Sequence, residues 1–551
     1  MIWPQAGRPF VFRALFSSKQ NMQGNAQARV TAEEKAALLQ GYLLKKEALE
    51  AKLARLIQEV EQVEQEITET QSQYGKLFNS ESILVKLPNE MLSMIFHLVQ
   101  QANRINDMPQ NPIAEVVISH VCSHWRSLAL SLPSLWSVFR YEGQGSPRVP
   151  LDRFEAYLER SQKHPLDLWF CFTDIGEGWP EQLDMLNLIP PHLDHCRRLY
   201  ILSDRDCPLD DLCCDLTEVS APMLEVFAMC PDKNLPLIPM DTEPSRWNPN
   251  LFSLGAPVLK YVRLDGTSVL NIHPPLDSIA HLRLEERQEC SLDSIEFNAS
   301  TLDYIFSLPK LQTLSIFGSF FEIDVEGYQQ QTATIEARSL KHFRCGNSLL
   351  GPVHLYFLAH VSAPVLETIT FHKLHFSHEG FDIQEARHTY IYPSLKSLTL
   401  LDLDGPHLNF HEHDPMIIRQ VMTLTRNIKT LTFSHITLAH QPSQLLLRMI
   451  EVGGQESVWE NLEHMVVLDL GLPPATYLRL VNEWPKPQNI HLPQSFVANI
   501  APQFPHTSSV TLRSIESPHQ LSPPYWPPGF DWMDNEEDPF HPDMRTTVFA
   551  G

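Results

Sequence analysis

Side chains that commonly bind metal ions gather at two places in the sequence, so metal binding is the first chemistry to consider. The first group comprises His192, His195, Cys196, Cys207, Cys213 and Cys214. Zinc sites usually draw their cysteines from closely spaced C-x2-C pairs, and the sequence contains no such pair. The second group is Phe410-His411-Glu412-His413-Asp414. A solvated turn before Pro415 is the favoured interpretation there, because carboxylates and imidazoles are ordinary surface residues. The sequence therefore predicts no metal site and no cofactor.

Motifs that would activate a nucleophile or cradle a phosphate are missing from the sequence. It has no Walker loop, no G-x-S-x-G elbow, no H-E-x-x-H pair and no G-x-G-x-x-G run. Cys122 falls on the apolar side of a predicted helix without a nearby basic partner, which predicts a small hydrophobic side chain and not a nucleophile. We therefore expect no catalytic residue and no enzyme. A hydrolase or transferase would have to use the histidine and aspartate clusters above.

Net charge and apolar patterning argue against two classes of partner. Lys+Arg number 42 against 66 Asp+Glu, and the formal charge of -24 repels phosphate backbones, so nucleic acid is not an expected partner. No run of 18 apolar residues occurs, so no membrane span is expected. The nine cysteines lack the dense spacing of a secreted scaffold. They favour a reducing compartment, the cytoplasm or the nucleus.

The two ends of the chain differ in composition from the rest. Residues 1–31 contain no acid but carry Arg8, Arg13, Lys19 and Arg29. This composition is typical of a mitochondrial transit segment, but a disordered tail, or initiation at Met22, is the preferred interpretation. Residues 516–551 combine many prolines with an acidic run and are expected to be a disordered tail.

A long helix is predicted for residues 32–78, because apolar residues recur there in alternating steps of three and four. The series is Leu39, Tyr42, Leu49, Leu53, Leu56, Val60, Val63, Ile67 and Tyr74. Lys46 and Thr70 occupy the two positions of this seam that are not apolar. An isolated helix would leave the seam in water. It is therefore expected either to form a coiled-coil homodimer or to fold onto the next domain, and the sequence leaves both open.

Residues 84–140 are predicted to form a small helical module. Two apolar helical stretches flank a polar, proline-bearing insert from Asn103 to Pro112. The first helix begins at Pro88, whose missing N–H is tolerated in a first turn, and its apolar face comprises Leu92, Ile95, Phe96 and Val99. The second stretch runs from Ile113 to Leu130. Its apolar side comprises Val117, Ile118, Val121, Cys122, Trp125, Leu128 and Ala129.

One short phrase recurs beyond the module. It reads Ala221-Pro222-Met223-Leu224, Ala256-Pro257-Val258-Leu259 and Ala363-Pro364-Val365-Leu366. Apolar residues follow each final, or anchor, leucine three and five positions later, as in Leu311, Leu314 and Ile316 or Leu395, Leu398 and Leu400. The step from plus three to plus five is the period of a strand. Each phrase therefore predicts a short strand.

The anchors lie 20 to 35 residues apart, close to and above the period of leucine-rich repeats. We expect residues 151–515 to form an irregular leucine-rich-repeat solenoid with parallel strands, in which each unit buries core against its neighbours. The expected fold class is thus an α+β or α/β repeat, preceded by a coiled-coil helix and a small helical module.

The module resembles the F-box, especially its form in mushroom-forming fungi. The resemblance rests on Leu87-Pro88-Asn89-Glu90-Met91-Leu92, Ile95-Phe96 and the run Val121-Cys122-Ser123-His124-Trp125-Arg126-Ser127-Leu128-Ala129. The insert and Met91 depart from the family pattern. In that family the module binds the Skp adaptor of cullin-based ubiquitin ligases. By position, the resemblance implies an adaptor-binding set of Leu87, Pro88, Leu92, Ile95, Phe96, Val121, Cys122 and Trp125.

The resemblance implies a substrate-recognition subunit of a Skp, cullin and F-box type ubiquitin ligase. The repeats would bind an unknown target protein, and a separate ligase would supply the chemistry. The alternative is a non-catalytic scaffold in which the heptad helix forms homodimers and the repeats bind a partner.

Overall fold

The computed structural model describes residues 32–80, 87–105, 113–142, 151–172, 179–203, 215–230, 247–265, 268–285, 297–318, 320–323, 334–346, 353–372, 392–401, 421–434, 459–467, 488–494, 497 and 511–515. Both terminal segments, most of the insert, the histidine run at 411–413 and the cysteines at 207, 213 and 214 lie outside these residues. The chain divides into two units, Met1–Pro88 and Asn89–Gly551.

The first unit contains one long helix, α1 (Ala32–Ser80), of 49 residues. It covers the range in which the heptad pattern predicts a helix. All nine apolar seam residues from Leu39 to Tyr74 are exposed. Pairing of this helix into a coiled coil stays a prediction.

The second unit begins with three helices, α2 (Asn89–Ile105), α3 (Ala114–Val121) and α4 (Ser123–Leu130), followed by a 3-10 turn at Pro133–Trp136. The expected single helix from Ile113 to Leu130 is wrong, because the chain breaks at Cys122. This residue is extended, with φ -158° and ψ 168°, and its Sγ accepts a hydrogen bond from the Trp125 backbone N–H at 3.4 Å. Cys122 thus caps the start of α4 in place of the usual serine or aspartate.

A sheet of 14 parallel strands forms the body of the second unit. Its strands are β1 (Val138–Glu142), β2 (Leu166–Phe172), β3 (Cys196–Ser203), β4 (Val226–Cys230), β5 (Tyr261–Asp265), β6 (His281–Glu285), β8 (Thr313–Phe317), β11 (His342–Gly346), β13 (Thr368–His372), β14 (Ser397–Leu401), β15 (Thr430–Ser434), β16 (His464–Val467), β17 (Asn489–Pro493) and β18 (Thr511–Ile515). They follow one another in that order. The parallel strand stack predicted from the repeated phrase is confirmed.

Short elements lie between the main strands. Two small parallel pairs join β7 (Phe297–Asn298) to β9 (Phe321–Glu322) and β10 (Ile335–Glu336) to β12 (Val361–Ser362). The helices between the strands include α5 (Leu151–Ser161), α6 (Trp179–Leu186), α7 (Ser268–Asn271), α8 (Ala299–Phe306) and α9 (Val353–His360), with a 3-10 turn at Pro190–His192.

The register of the sheet places equivalent repeat positions side by side. Leu282, Leu314, Phe343, Ile369, Leu398, Leu431 and Met465 form one continuous row. These are the predicted plus-three positions, and all are buried. Helices cover this face of the sheet, since Phe343 packs against Phe306 of α8 and Phe357 of α9 at ring distances of 5.8 Å and 4.1 Å. The predicted triples therefore form the core.

The opposite face of the sheet carries a buried charge network. Glu285 accepts hydrogen bonds from Arg283 at 2.6 Å and from Arg344 at 2.8 Å, and the hydroxyl of Ser315 donates to the same carboxylate. Arg263 and Asp265 form a further pair at 2.9 Å. Arg263 and Asp265 of β5 and Arg283 and Glu285 of β6 are essentially inaccessible to water. Successive residues along a strand point to opposite faces of the sheet, so one face buries apolar side chains and the other buries the charged pairs.

A row of histidine and threonine side chains at the start of strands β6, β8 and β11 makes the stability of the fold depend on pH. Burial, reinforced by His342, lowers the pKa of His281 to about 4, and its Nδ1 lies 2.9 Å from the Thr313 hydroxyl. Between pH 6.5 and 4 the unfolded chain binds a proton at His281 that the folded chain does not. Stability is therefore expected to fall as the pH drops through that range, by on the order of 2–3 kcal/mol.

Urea unfolding at pH 7.5 and pH 5 measures this effect, and His281→Gln should lose a large part of the difference. His120→Gln, at an exposed position of α3, is the control. An unchanged pH dependence in the His281 variant would contradict the assignment.

Candidate functional site

The three-helix module has a well-packed interior. Leu92 and Phe96 of α2 are 0% exposed, and the Phe96 ring lies 5.0 Å from that of Trp125 on α4. The buried Gln100 side chain donates to the Leu135 carbonyl at 2.7 Å. One turn of spacing separates the three α2 residues, so they share a single face. This face, packed against α3, α4 and the following 3-10 turn, holds the module together.

The interior position of Leu92 and Phe96 differs from the adaptor-facing position that the resemblance implies, and their contact with an adaptor stays a prediction. Both were expected to contact a partner, but neither reaches the surface in this conformation. Ile95, Cys122 and Trp125 are half-buried at the edge of the interior. Val121, at the end of α3, is exposed as expected.

Leu87 and Pro88 belong to the first unit of the chain. Leu87 is half-buried and Pro88 is exposed.

A second, apolar face of the module is open to solvent. Met91, Met94 and Leu98 follow one another along α2 at spacings of three and four, and Met94 and Leu98 are 59% and 58% exposed. Val117 and Val121 form a similar exposed pair, one turn apart, on α3. Large apolar residues exposed together on a small module indicate a surface that a partner covers.

The sequence interpretation missed Met91, Met94, Leu98 and Val117 as surface residues. It treated the three-four series from Leu92 as the only apolar face of α2. The helix in fact has two, and the second could have been found by testing the series that starts at Met91.

The module is fixed to the start of the sheet by aromatic and polar contacts. Trp136 packs edge-on against Tyr157 of α5 at 5.3 Å, and the guanidinium of Arg160 lies 4.4 Å from the Trp136 ring centroid. The Tyr157 hydroxyl donates to the carboxylate of Glu115 on α3. Burial, with Glu115 beside it, raises the pKa of Tyr157 far above its usual range, so the phenol stays protonated. These contacts therefore hold the helices with the open apolar face in a fixed position relative to the start of the sheet.

A shallow groove of about 500 Å³ lies where strands β11 to β15 begin. Lys341, Lys396 and Lys429 line it, with Glu367 between them. Lys396 bonds to Glu367 at 2.7 Å, and Lys429 bonds to Glu463 at 2.7 Å. These ion pairs offset part of the positive charge that the three lysines bring to the groove.

Three residues of the first candidate metal group, His192, His195 and Cys196, lie within the described ranges. His195 is buried, with Nδ1 2.6 Å from Asp194. Cys196 is the buried first residue of β3, and burial raises the pKa of its thiol, so the thiolate is disfavoured. No cluster of three metal-binding side chains occurs within the described part of the chain.

None of the helices in the described ranges is long and apolar enough to span a bilayer. Comparison with known proteins adds no family to these observations. No family model matches the chain, and no curated protein matches it significantly.

Proposed function

We propose that the chain is the substrate-recognition subunit of a Skp, cullin and F-box type ubiquitin ligase. In this proposal α2, α3 and α4 dock a Skp-type adaptor, and the sheet, as an irregular leucine-rich-repeat arm, binds a target protein. The observation that carries the proposal is the open apolar face of Met91, Met94 and Leu98 on a module whose sequence resembles the F-box.

The chain would contribute proximity and not chemistry. It needs no catalytic residue and no cofactor, because the cullin-bound ligase transfers ubiquitin. Fixation of the module to the sheet through Trp136 and Tyr157 would keep the bound target at a constant distance from the adaptor. Such an assembly acts in the cytoplasm or the nucleus.

Two added carboxylates on the open face should strongly weaken adaptor binding. In the full chain, Met94→Asp with Leu98→Asp is expected to weaken binding of a recombinant Skp-type adaptor on the order of 100-fold, because charges would be buried at the centre of the interface. Titration calorimetry measures the affinity. Leu92 and Phe96 are unsuitable for this test, since charges there would disrupt the interior.

A matched control places the same two carboxylates at Leu254 and Val258, exposed apolar residues outside the three-helix module. This variant should bind the adaptor as the unaltered chain does, and circular dichroism checks that both variants stay folded. Equal adaptor affinity in the Met94/Leu98 variant and the control would overturn the proposed docking face.

A scaffold without ligase association is the second candidate function. The exposed seam of α1 favours it, because a helix of that length with an apolar stripe is a ready dimerisation element. In that case the unaltered chain itself would not bind the adaptor. The titration above therefore separates the two functions before any substitution is made.

A further inference from the structure

The apolar seam of α1 is open to water along its whole length. Its nine apolar residues from Leu39 to Tyr74 are between 47% and 69% exposed. A helix gains little stability in water without burial of such a stripe. The seam is therefore expected to be covered, either by a partner helix or by another part of the chain.

The charged residues beside the seam are unevenly distributed. Positions immediately before Lys46, Leu53, Val60 and Ile67 are Lys45, Lys52, Glu59 and Glu66. Both lysines fall in the first half of α1 and both glutamates in the second half. In a coiled coil the residues at these flanking positions determine which orientation two helices adopt.

A parallel, in-register pair of α1 helices uses this charge pattern poorly. Lys45 would approach the partner's Glu50, which is favourable, but Glu59 would approach the partner's Glu64, which is repulsive. Lys46 would also face its own copy within the seam. The favourable and unfavourable contacts cancel.

An antiparallel pair uses the same pattern well. When the two helices run in opposite directions, Lys45 lies beside the partner's Glu66 and Lys52 beside the partner's Glu59. Two-fold symmetry repeats both contacts, which gives four favourable ion pairs. On the other flank Glu50 lies beside the partner's Ile57, so no like charges meet there.

The register that forms these ion pairs also overlaps the two helices from end to end. In it Leu39 lies opposite the partner's Thr70, Lys46 opposite the partner's Val63, and Leu53 opposite the partner's Leu56. Each polar seam residue then meets an apolar one. Lys46 also forms an ion pair with Glu50 of its own helix at 3.4 Å, which draws its ammonium out of the seam.

Branched residues at the seam do not oppose this orientation. Val60 and Ile67 beside Leu49 and Leu56 follow the preference of parallel dimers. Val63, however, occupies a position at which those dimers have leucine. The branched residues therefore favour neither orientation clearly, and the charged residues beside the seam determine it.

From these observations we propose that α1 pairs with α1 of a second copy of this chain as an antiparallel two-stranded coiled coil, in the register that places Leu39 opposite the partner's Thr70. The proposal is independent of the ligase role. The two carboxyl ends of the paired helices then lie roughly 70 Å apart, at the usual rise per residue.

Cysteine cross-linking of the full chain tests the orientation. Leu39→Cys and Thr70→Cys chains are prepared separately, treated with a short bifunctional maleimide alone and after mixing, and compared with the unaltered chain as background. A covalent dimer is expected in the mixture, at several times the yield of either variant alone. Equal yield from Leu39→Cys alone would indicate parallel pairing and overturn the proposal. A dimer without the 39–70 cross-link would overturn the register.

Sedimentation equilibrium provides a second test. Lys52→Glu should weaken the antiparallel dimer roughly fivefold, since two ion pairs become repulsive, and adding Glu59→Lys should restore the original affinity. In a parallel dimer Lys52→Glu would change nothing, because Lys52 would face Ile57 of the partner subunit. A monomer at micromolar concentration would overturn the proposal and indicate that another part of the chain covers the seam.

Discussion

Replacing Glu285 by Gln should destabilise the sheet by about 3–5 kcal/mol, because it leaves two buried guanidinium groups without a counter-charge. Burial alone would raise the pKa of Glu285, but Arg283, Arg344 and Arg263 hold it well below its usual range. The carboxylate is therefore ionised in the folded chain, and an amide cannot replace its charge. Chemical denaturation followed by far-ultraviolet circular dichroism measures the loss.

Glu367→Gln is the matched control, because Glu367 also pairs with a cation in the same sheet, but at the surface. Its pKa is lowered by the hydrogen bond from Lys396. An exposed pair of this kind contributes at most about 1 kcal/mol. If the two variants lost equal stability, the network around Glu285 would be accessible to solvent, contrary to the structure.

Truncating Phe96 to Ala should unfold the three-helix module while leaving most of the sheet intact. Removal of a fully buried phenyl ring costs about 3–5 kcal/mol, and the module has little other core. The ring contact with Trp125 at 5.0 Å is lost with it. Hydrogen exchange should show lost protection in α2, α3 and α4, with the strands of the sheet from β5 onward unchanged.

Leu98→Ala separates folding from binding on the same helix. Leu98 is 58% exposed, so its truncation should alter stability by less than about 0.5 kcal/mol and leave exchange in α2 as it was. Adaptor binding should nevertheless weaken about tenfold if Leu98 lies in the docking face. Protection in α2 that survived Phe96→Ala would show that the module does not depend on this interior.

The repeat architecture was predictable because each strand has its own sequence pattern. Leu314 and Ile316, or Leu398 and Leu400, alternate at strand spacing behind a proline-marked anchor. In the structure the first pair lies in register with Phe343 and Cys345, and the second pair with Ile369 and Phe371, of the neighbouring strand. Burial of one face of a parallel sheet requires that pattern in every repeat. Local sequence is therefore enough to place most strands.

The strands that were missed lack the anchor leucine. β1 and β3 belong to the same sheet, but Trp136 and Cys196 occupy their anchor positions. Both side chains are buried as a leucine would be. Their equivalence depends on packing between neighbouring strands, which the sequence does not display. The expected module boundary at residue 140 consequently falls inside β1.

The surface of the module was harder to predict than its helices. Periodicity placed Leu92 and Phe96 on one apolar face of α2, but it could not show whether that face or the face with Met94 and Leu98 is buried. Which face of α2 is buried depends on how α3 and α4 pack against it. The break between these two helices at Cys122 is only weakly indicated by the sequence. A cysteine that ends one helix and caps the next cannot be distinguished by its sequence pattern from a cysteine inside one continuous helix.

The strands of the sheet form a single row, and the length of that row determines how long a partner must be to contact every repeat. Fourteen strands at the usual spacing of about 4.8 Å extend over roughly 60 Å of sheet edge, the span of about 19 residues of extended peptide. A short linear motif would therefore engage only a few adjacent repeats. Recognition that involves every repeat requires either a long unfolded stretch or a folded surface of similar width, and binding strength should increase stepwise with the number of repeats engaged.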